Sequence, residues 1–346
     1  MATPDLTIHG AGIFGLSIAW AAARRGAKVR VLEAVAPGAG SSGGVVGALA
    51  PHVPENWNDK KAFQLESLLM AESWWAEVQA VGGKDPLYAR TGRLQPIADT
   101  AALELARDRA ANAEALWQGR AAWQVQRSTG SAWEPASPTG WLIHDTLTAR
   151  LHPRAALAAL LAALAAKGAE LVIGDGDAVG PQVWATGHAG LLTLSEGRAR
   201  PMGNGEKGQA ASLRHDAGSL PQVFTEGLHI IPHGDGTVSI GSTSERKWAK
   251  DTATDAQLDA LIAKARKALP CLADAEVVDR WAGIRPRARS RAPMLGPWPG
   301  RPGHFIANGG FKIGFGMAPK IAEVMADLLL DGRDTIPEDF RVEASL

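Results

Sequence analysis

Leu6-Thr7-Ile8-His9-Gly10-Ala11-Gly12-Ile13-Phe14-Gly15, an alanine-rich run to Gly26, and then Lys28-Val29-Arg30-Val31-Leu32-Glu33 read as strand, glycine turn, helix and strand. Residues 13–25 contain no proline and stop at Gly26, which suits a helix closed by a C-terminal glycine. Together with the strand at 28–33 they form a β-α-β unit of the usual length, roughly 30 residues. Gly10, Gly12 and Gly15 match G-x-G-x-x-G. The first glycine permits the tight turn, the second lets backbone approach a pyrophosphate, and the third lets helix and strand pack closely. Ile13 and Phe14 open the helix, whose N-terminus offers unpaired N–H groups and the positive end of a dipole. Glu33 ends the next strand 18 positions after Gly15. A carboxylate there accepts hydrogen bonds from a ribose and repels a 2′-phosphate. The glycine pattern alone is weak. The strand before it, the helix after it and the acid at this spacing turn it into a dinucleotide site.

The rest of the composition narrows the class. A chain of 346 residues suits two interlocked domains or one large α/β body. Lys plus Arg and Asp plus Glu number 36 each, so no net field draws nucleic acid or an anionic membrane, and small molecules are the expected partners. The single cysteine, Cys271, excludes an intrachain disulfide and a thiolate zinc cluster, and no metal is expected. Glycines interrupt the N-terminal apolar run, unlike a signal peptide. The apolar stretch 154–166 falls short of the roughly 20 residues that span a bilayer. The expectation is a soluble cytoplasmic protein.

Further along, residues 35–47 form a loop dense in glycine and serine. Helices are predicted at 62–81, 100–120, 154–167, 255–268 and 316–331, where Ile321, Val324, Met325 and Leu328 fall at helical spacing. Strands are predicted at 94–97, 141–143, 170–173, 181–187 and 304–308. Residues 207–245 read as β-rich, with a hairpin turned by His233-Gly234-Asp235-Gly236. This order suggests a nucleotide domain interrupted by a second, sheet-containing domain.

At this level the chain resembles the D-amino-acid oxidase superfamily of flavoenzymes, nearest its glycine oxidase and sarcosine oxidase branch. The resemblance covers nearly the whole chain, in seven pieces in the family's order. They are Gly10–Gly15 with Glu33; the loop Gly40-Ser41-Ser42-Gly43-Gly44-Val45-Val46-Gly47-Ala48-Leu49-Ala50-Pro51; His152-Pro153; Trp184-Ala185-Thr186-Gly187; Lys207-Gly208-Gln209; Gly283-Ile284-Arg285-Pro286 with Pro293–Pro297; and Asn308-Gly309-Gly310-Phe311-Lys312-Ile313-Gly314-Phe315. The resemblance implies an α/β fold, with a Rossmann-like FAD-binding domain interleaved with a smaller α+β substrate domain on an antiparallel sheet. Approximate boundaries are 1–60, 145–205 and 276–346 for the first, and 61–144 and 206–275 for the second. It implies oxidation of a small amino acid or related amine. Hydride passes to the flavin, water hydrolyses the imine, and oxygen takes the electrons as hydrogen peroxide.

Residue by residue, the resemblance places FAD against Gly10, Gly12, Ile13, Phe14, Gly15, Glu33, Ala34, Ser41, Ser42, Gly47, Ala48, Leu49, Thr186, Gly187, Gly283, Arg285, Gly310, Phe311, Lys312, Ile313 and Gly314. Relatives with covalent flavin use a cysteine near the C-terminal motif; none lies between 283 and 346, so non-covalent FAD is expected. Arg285 is the expected clamp for a substrate carboxylate, against a structural salt bridge as its alternative. Lys312 is expected to assist the reaction with oxygen, against a surface lysine. His229 stands where relatives often carry a tyrosine, and either replaces it or is plain strand surface. Ser290 and Gly310 also depart from the family, which commonly has aspartate and histidine there. Arg287, Arg289 and Arg291 either favour a more acidic substrate or form a solvated rim, the rim being preferred. The 12 tryptophans are read mostly as core. Three other functions stay open: a dehydrogenase passing electrons to a quinone or carrier protein, a tRNA-modifying flavoprotein, and a flavin-binding protein without turnover. Substrate and oligomeric state, a homo-oligomer included, are left open.

Overall fold

The structure, a computed structural model, describes residues 3–346. In chain order its elements begin β1 (Leu6–His9), α1 (Ile13–Arg24), β2 (Val29–Glu33), β3 (Ala48–Leu49), α2 (Asp59–Gly82), β4 (Arg93–Pro96), α3 (Thr100–Trp117), β5 (Trp123–Arg127), β6 (Trp141–Asp145), β7 (Ala149–Arg150) and α4 (Pro153–Ala166). They continue β8 (Glu170–Ile173), β9 (Gln182–Trp184), α5 (Gly187–Ser195), β10 (Gly203–Arg214), β11 (Gln222–Thr225), β12 (Leu228–Pro232), β13 (Thr237–Gly241), α6 (Ala256–Ala268), β14 (Val277–Ala288), β15 (Met294–Pro297), β16 (His304–Asn308) and α7 (Gly314–Asp331).

Two large sheets organise these elements. The first has the order β15-β16-β9-β1-β2-β8, with β16, β9, β1, β2 and β8 parallel and β15 antiparallel at the edge. Parallel strands need helices on their faces, and α1 supplies one, packed against α7 and α4. Eleven of its twelve residues are buried, including Leu16, Ile18 and Trp20, which is why alanine dominates it: small side chains let helix and sheet approach. The second sheet, β14-β10-β13-β12-β11-β4-β6-β5, is mostly antiparallel. The mixed α/β class and the antiparallel second sheet agree with the sequence reading. The strand β14 belongs to the second sheet and carries Pro286 on its edge, where a missing N–H costs no ladder bond. The helix α2 packs on α4 and α7, so residues 59–82 share the core of the nucleotide side.

Trp74, Trp75, Trp117, Trp123 and Trp133 are all buried. Trp74 and Trp75 meet edge to face at 4.8 Å and Trp117 and Trp123 at 6.2 Å, geometry that favours packing. Near the β5 edge of the second sheet Arg93 and Asp145, neighbours across β4 and β6, form a buried ion pair. The Arg93 Nε–H donates to Asp145 at 2.8 Å, and the Thr148 N–H and hydroxyl donate to its other oxygen at 2.9 and 2.5 Å. Removing the carboxylate strands a buried guanidinium. Asp145→Ala is therefore expected to destabilise the protein by about 3–5 kcal/mol in denaturant titration; a loss under about 1 kcal/mol would show that Arg93 finds another partner.

Candidate cofactor and substrate site

The phosphate end of the site is a backbone construction. Gly10 has φ +103°, and a Cβ there would lie 2.6 Å from the Ala185 carbonyl oxygen. A Cβ on Gly15 would lie 1.9 Å from the Gly10 oxygen. Gly12 is different: a Cβ there would meet only Ser42, with Oγ at 3.2 Å. The space beyond the helix end is open. No side chain of the N-cap residue satisfies the α1 N-terminus, and its first turn has no acid. Ser42 Oγ reaches in from the glycine-rich loop and accepts from the Ile13 N–H at 3.0 Å. Glu33 is fixed at the end of β2, accepting from the N–H groups of Ala11 at 2.7 Å and Val35 at 3.0 Å, with Ala34 exposed beside it. A cradle that one Cβ would fill, at a helix N-terminus, fits the pyrophosphate of a dinucleotide.

Three distant segments close around this turn. Thr186 precedes α5 and lies beside Gly10, and the Gly187 carbonyl accepts from Asn308 Nδ2 at 2.9 Å. In the glycine loop, Ser41–Gly43 forms a short 3-10 turn. Gly47, at φ +67°, lies so close to the Leu151 carbonyl that a Cβ would come within 1.8 Å. The Ala48–Leu49 pair then zips against β7. The last segment brings Gly310 against Phe14, whose Cζ would lie 2.6 Å from a Cβ on Gly310, and Gly314 within 3.6 Å of Ile13 by the same measure. Phe311 N–H donates to Pro286 O at 2.9 Å, and Ile313 caps α7, so this loop ties the nucleotide domain to β14. Gly283 lies beneath Trp281, whose ring also borders Gly44.

At the expected substrate end, a charged cluster lies on one face of β10 and β14. Arg285 is 7% exposed. Its Nη1 donates to Ser242 Oγ at 2.6 Å, and its Nη2 to the carbonyls of Thr243 at 2.7 Å and Lys207 at 3.2 Å. Its Nε–H is buried with no partner among the described residues. The guanidinium lies across Gly208, where a Cβ would come within 2.4 Å of Nη1. Arg285, Arg287 and Lys312 all stand near the Phe311 ring, at 5.7, 5.2 and 5.4 Å from its centroid. Burial pulls the Arg285 guanidinium below its usual range, with Glu206 and Glu245 opposing it. The Lys312 ammonium is pulled down by burial and by Arg285 and Arg287, while Glu206 pushes it back.

His229 is half-buried on β12, with its ring 4.6 Å from that of Phe224 and its buried Nδ1 unpaired among the described residues. Burial, with Arg93 and Lys312 nearby, pushes its pKa down to about 3, so the ring is neutral at working pH and adds no positive charge. Arg289 and Arg291 are exposed, as the rim reading expects, but Arg287 turns inward. Sequence reasoning missed Glu206 and the run Ser242-Thr243-Ser244. Glu206 is 6% exposed, and the run follows β13 directly, where only a strand end was expected. Among the described residues no group of three or more His, Cys, Asp or Glu side chains is placed to hold a metal.

Known proteins resemble this chain in sequence and fold. The family profile described as FAD dependent oxidoreductase (DAO) matches residues 5–328. Glycine oxidase of Pseudomonas aeruginosa is 38% identical over 131 residues, covering 38% of this chain and 36% of that protein. The bifunctional protein ThiO/ThiG of Trichormus variabilis is 27% identical over 359 residues, covering 95% of this chain and 53% of that protein. The matched stretches thus span about a third and about half of these curated relatives. Among solved structures, glycine oxidase from Geobacillus kaustophilus superposes with a TM-score of 0.82 at 22% identity, over 98% of both chains. Iminodiacetate oxidase from Chelativorans sp. BNC1 gives 0.81 at 23% identity, over 97% of this chain and 98% of that one. These superpositions carry the fold.

The open position at Gly12 gives a direct check. Gly12→Ala should fold normally, since its Cβ meets only a serine hydroxyl, yet weaken FAD binding roughly tenfold or more by filling the phosphate approach. Titration of apoprotein with FAD measures this; unchanged affinity would move the pyrophosphate elsewhere.

Proposed function

The chain belongs to the DAO family of FAD-dependent oxidoreductases, and from that premise we propose that it holds FAD non-covalently and oxidises a small amino acid or related amine with oxygen as acceptor. The observation that carries this reading is Arg285, a buried guanidinium with an unpaired Nε–H, held beside Phe311 and Lys312 on the loop that leads into α7. When bound, FAD would supply the two-electron acceptor for a hydride from the substrate carbon; hydrolysis of the imine would then release the keto acid and the free amine or ammonia, and oxygen would take up the electrons as hydrogen peroxide.

The chain's own residues do the rest. Ser242 and the carbonyls of Thr243 and Lys207 fix the Arg285 fork in place, so little side-chain entropy is lost when a carboxylate docks. The charge-assisted pair orients the substrate. Lys312, half-exposed and paired with Glu206, would offer a cation to the negative charge that develops as oxygen is reduced. His229 serves as a neutral hydrogen-bonding group and leaves the carboxylate to Arg285. No helix among the described residues is long and apolar enough to cross a membrane. A soluble cytoplasmic enzyme working on small molecules, without nucleic acid, is part of the same proposal.

The test is an anaerobic screen of small amino acids and N-alkyl amino acids for bleaching of the flavin, followed by peroxide measurement in air. Bleaching without peroxide would favour a quinone or carrier protein as acceptor. With the best substrate, Arg285→Ala should raise KM by roughly 100-fold or more while the protein keeps its FAD. An unchanged KM would remove Arg285 from substrate binding.

A further inference from the structure

We infer that Glu206 sets the charge class of the substrate, admitting amino acids with one carboxylate and rejecting those with a second acid group. The inference rests on the proposed function and names the substrate class within it. Glu206 and Arg285 face each other across β10 and β14, so their side chains leave the same side of the sheet. The Glu206 carboxylate is buried and lies among three cations. Its oxygens are 3.5 Å from Arg287 Nη1, 3.8 Å from Lys312 Nζ and 4.0 Å from Arg285 Nη2. The Ser244 hydroxyl donates to it, and Ser244 Oγ in turn accepts from Lys312 Nζ at 2.8 Å.

Glu206 therefore stands where a second substrate carboxylate would otherwise be bound. Three cations and no anion would make a strong dianion site. With Glu206 in place, Arg287, Lys312 and the Ser244 hydroxyl already have a carboxylate partner. Arg285 is the cation farthest from Glu206, and its buried Nε–H has no partner among the described residues. A monocarboxylate can pair with Arg285. A dicarboxylate must also bring its second charge against Glu206 in a half-dry pocket, where like charges are poorly screened. Specificity then comes from repulsion built into the site, which a glutamine of the same shape removes.

The experiment uses FAD-loaded protein titrated with two unreactive anions of similar size, propionate and malonate, followed by the flavin spectrum and by calorimetry. In the unmodified protein malonate should bind no more tightly than propionate despite its extra charge. In Glu206→Gln the affinity for malonate relative to propionate should rise roughly tenfold or more. Tighter malonate binding in the unmodified protein, an anion preference unchanged by Glu206→Gln, or no binding of either anion would each overturn the inference. The comparison within the unmodified protein stands even if the variant does not fold. Failure of every amino acid to bleach the flavin counts against the proposed function alone, because anion preference is read without turnover.

Discussion

At the N-terminus of α1 the backbone donors have no capping side chain from the N-cap residue, and a serine 29 residues away, Ser42, reaches in to meet one of them. A helix end left this open in a buried position is costly unless something supplies acceptors, and the surroundings are shaped to let a phosphate do so. Gly10 and Gly15 are forced by contacts to backbone, at Ala185 and at Gly10 itself, whereas Gly12 faces space. The glycine loop, the Thr186–Gly187 step and the Gly310–Gly314 loop all converge on this point. Each is held by its own bond or contact: Ser42 to Ile13, Asn308 to Gly187, and Gly310 against Phe14.

From there the site runs to the second sheet by two mechanical links. One is the Phe311 N–H to Pro286 O bond, which ties the loop before α7 to β14. The other is Val46 packed against Gly241, which ties the glycine loop to the end of β13. Residues Ser242–Ser244, just past β13, then hold Arg285 and Lys312 in place. Cofactor loop and charged cluster are thus joined through backbone and short side chains. The tight seat of Arg285 over Gly208 makes its position a property of the sheet. Electrostatically the cluster sets Arg285, Arg287 and Lys312 around one buried carboxylate, Glu206, and the proposed selection between acids rests on that balance.

The parts legible in the sequence were those with local causes. The β1-α1-β2 unit declares itself through glycine spacing, alanine content and Glu33, all within one stretch of chain, and the helices at 100–117, 153–166 and 256–268 fall where periodicity and end signals put them. Motifs single out Arg285 and Lys312, which the structure brings to one ring, Phe311. What escaped depends on pairing between distant strands. The stretch Gly203-Asn204-Gly205 looks like a loop, yet pairing with β14 makes it strand and buries the next residue, Glu206, against Arg285. The inward turn of Arg287 is set by the same ladder, since residues 285 and 287 share one face, while Arg289 lies beyond the strand in solvent. A lone acid and one of four arginines carry no periodic signal, so only the register could pick them out.

In the proposed complex the dinucleotide runs from the α1 N-terminus to the Arg285 cluster, so that cofactor and carboxylate meet beside Phe311. A crystal structure of the FAD-loaded protein with propionate tests it most directly. The pyrophosphate is expected over Gly12, the flavin ring beside Phe311 and Lys312, and the carboxylate on Arg285. A flavin ring away from Phe311, or propionate held only by Arg289 and Arg291 at the rim, would contradict it.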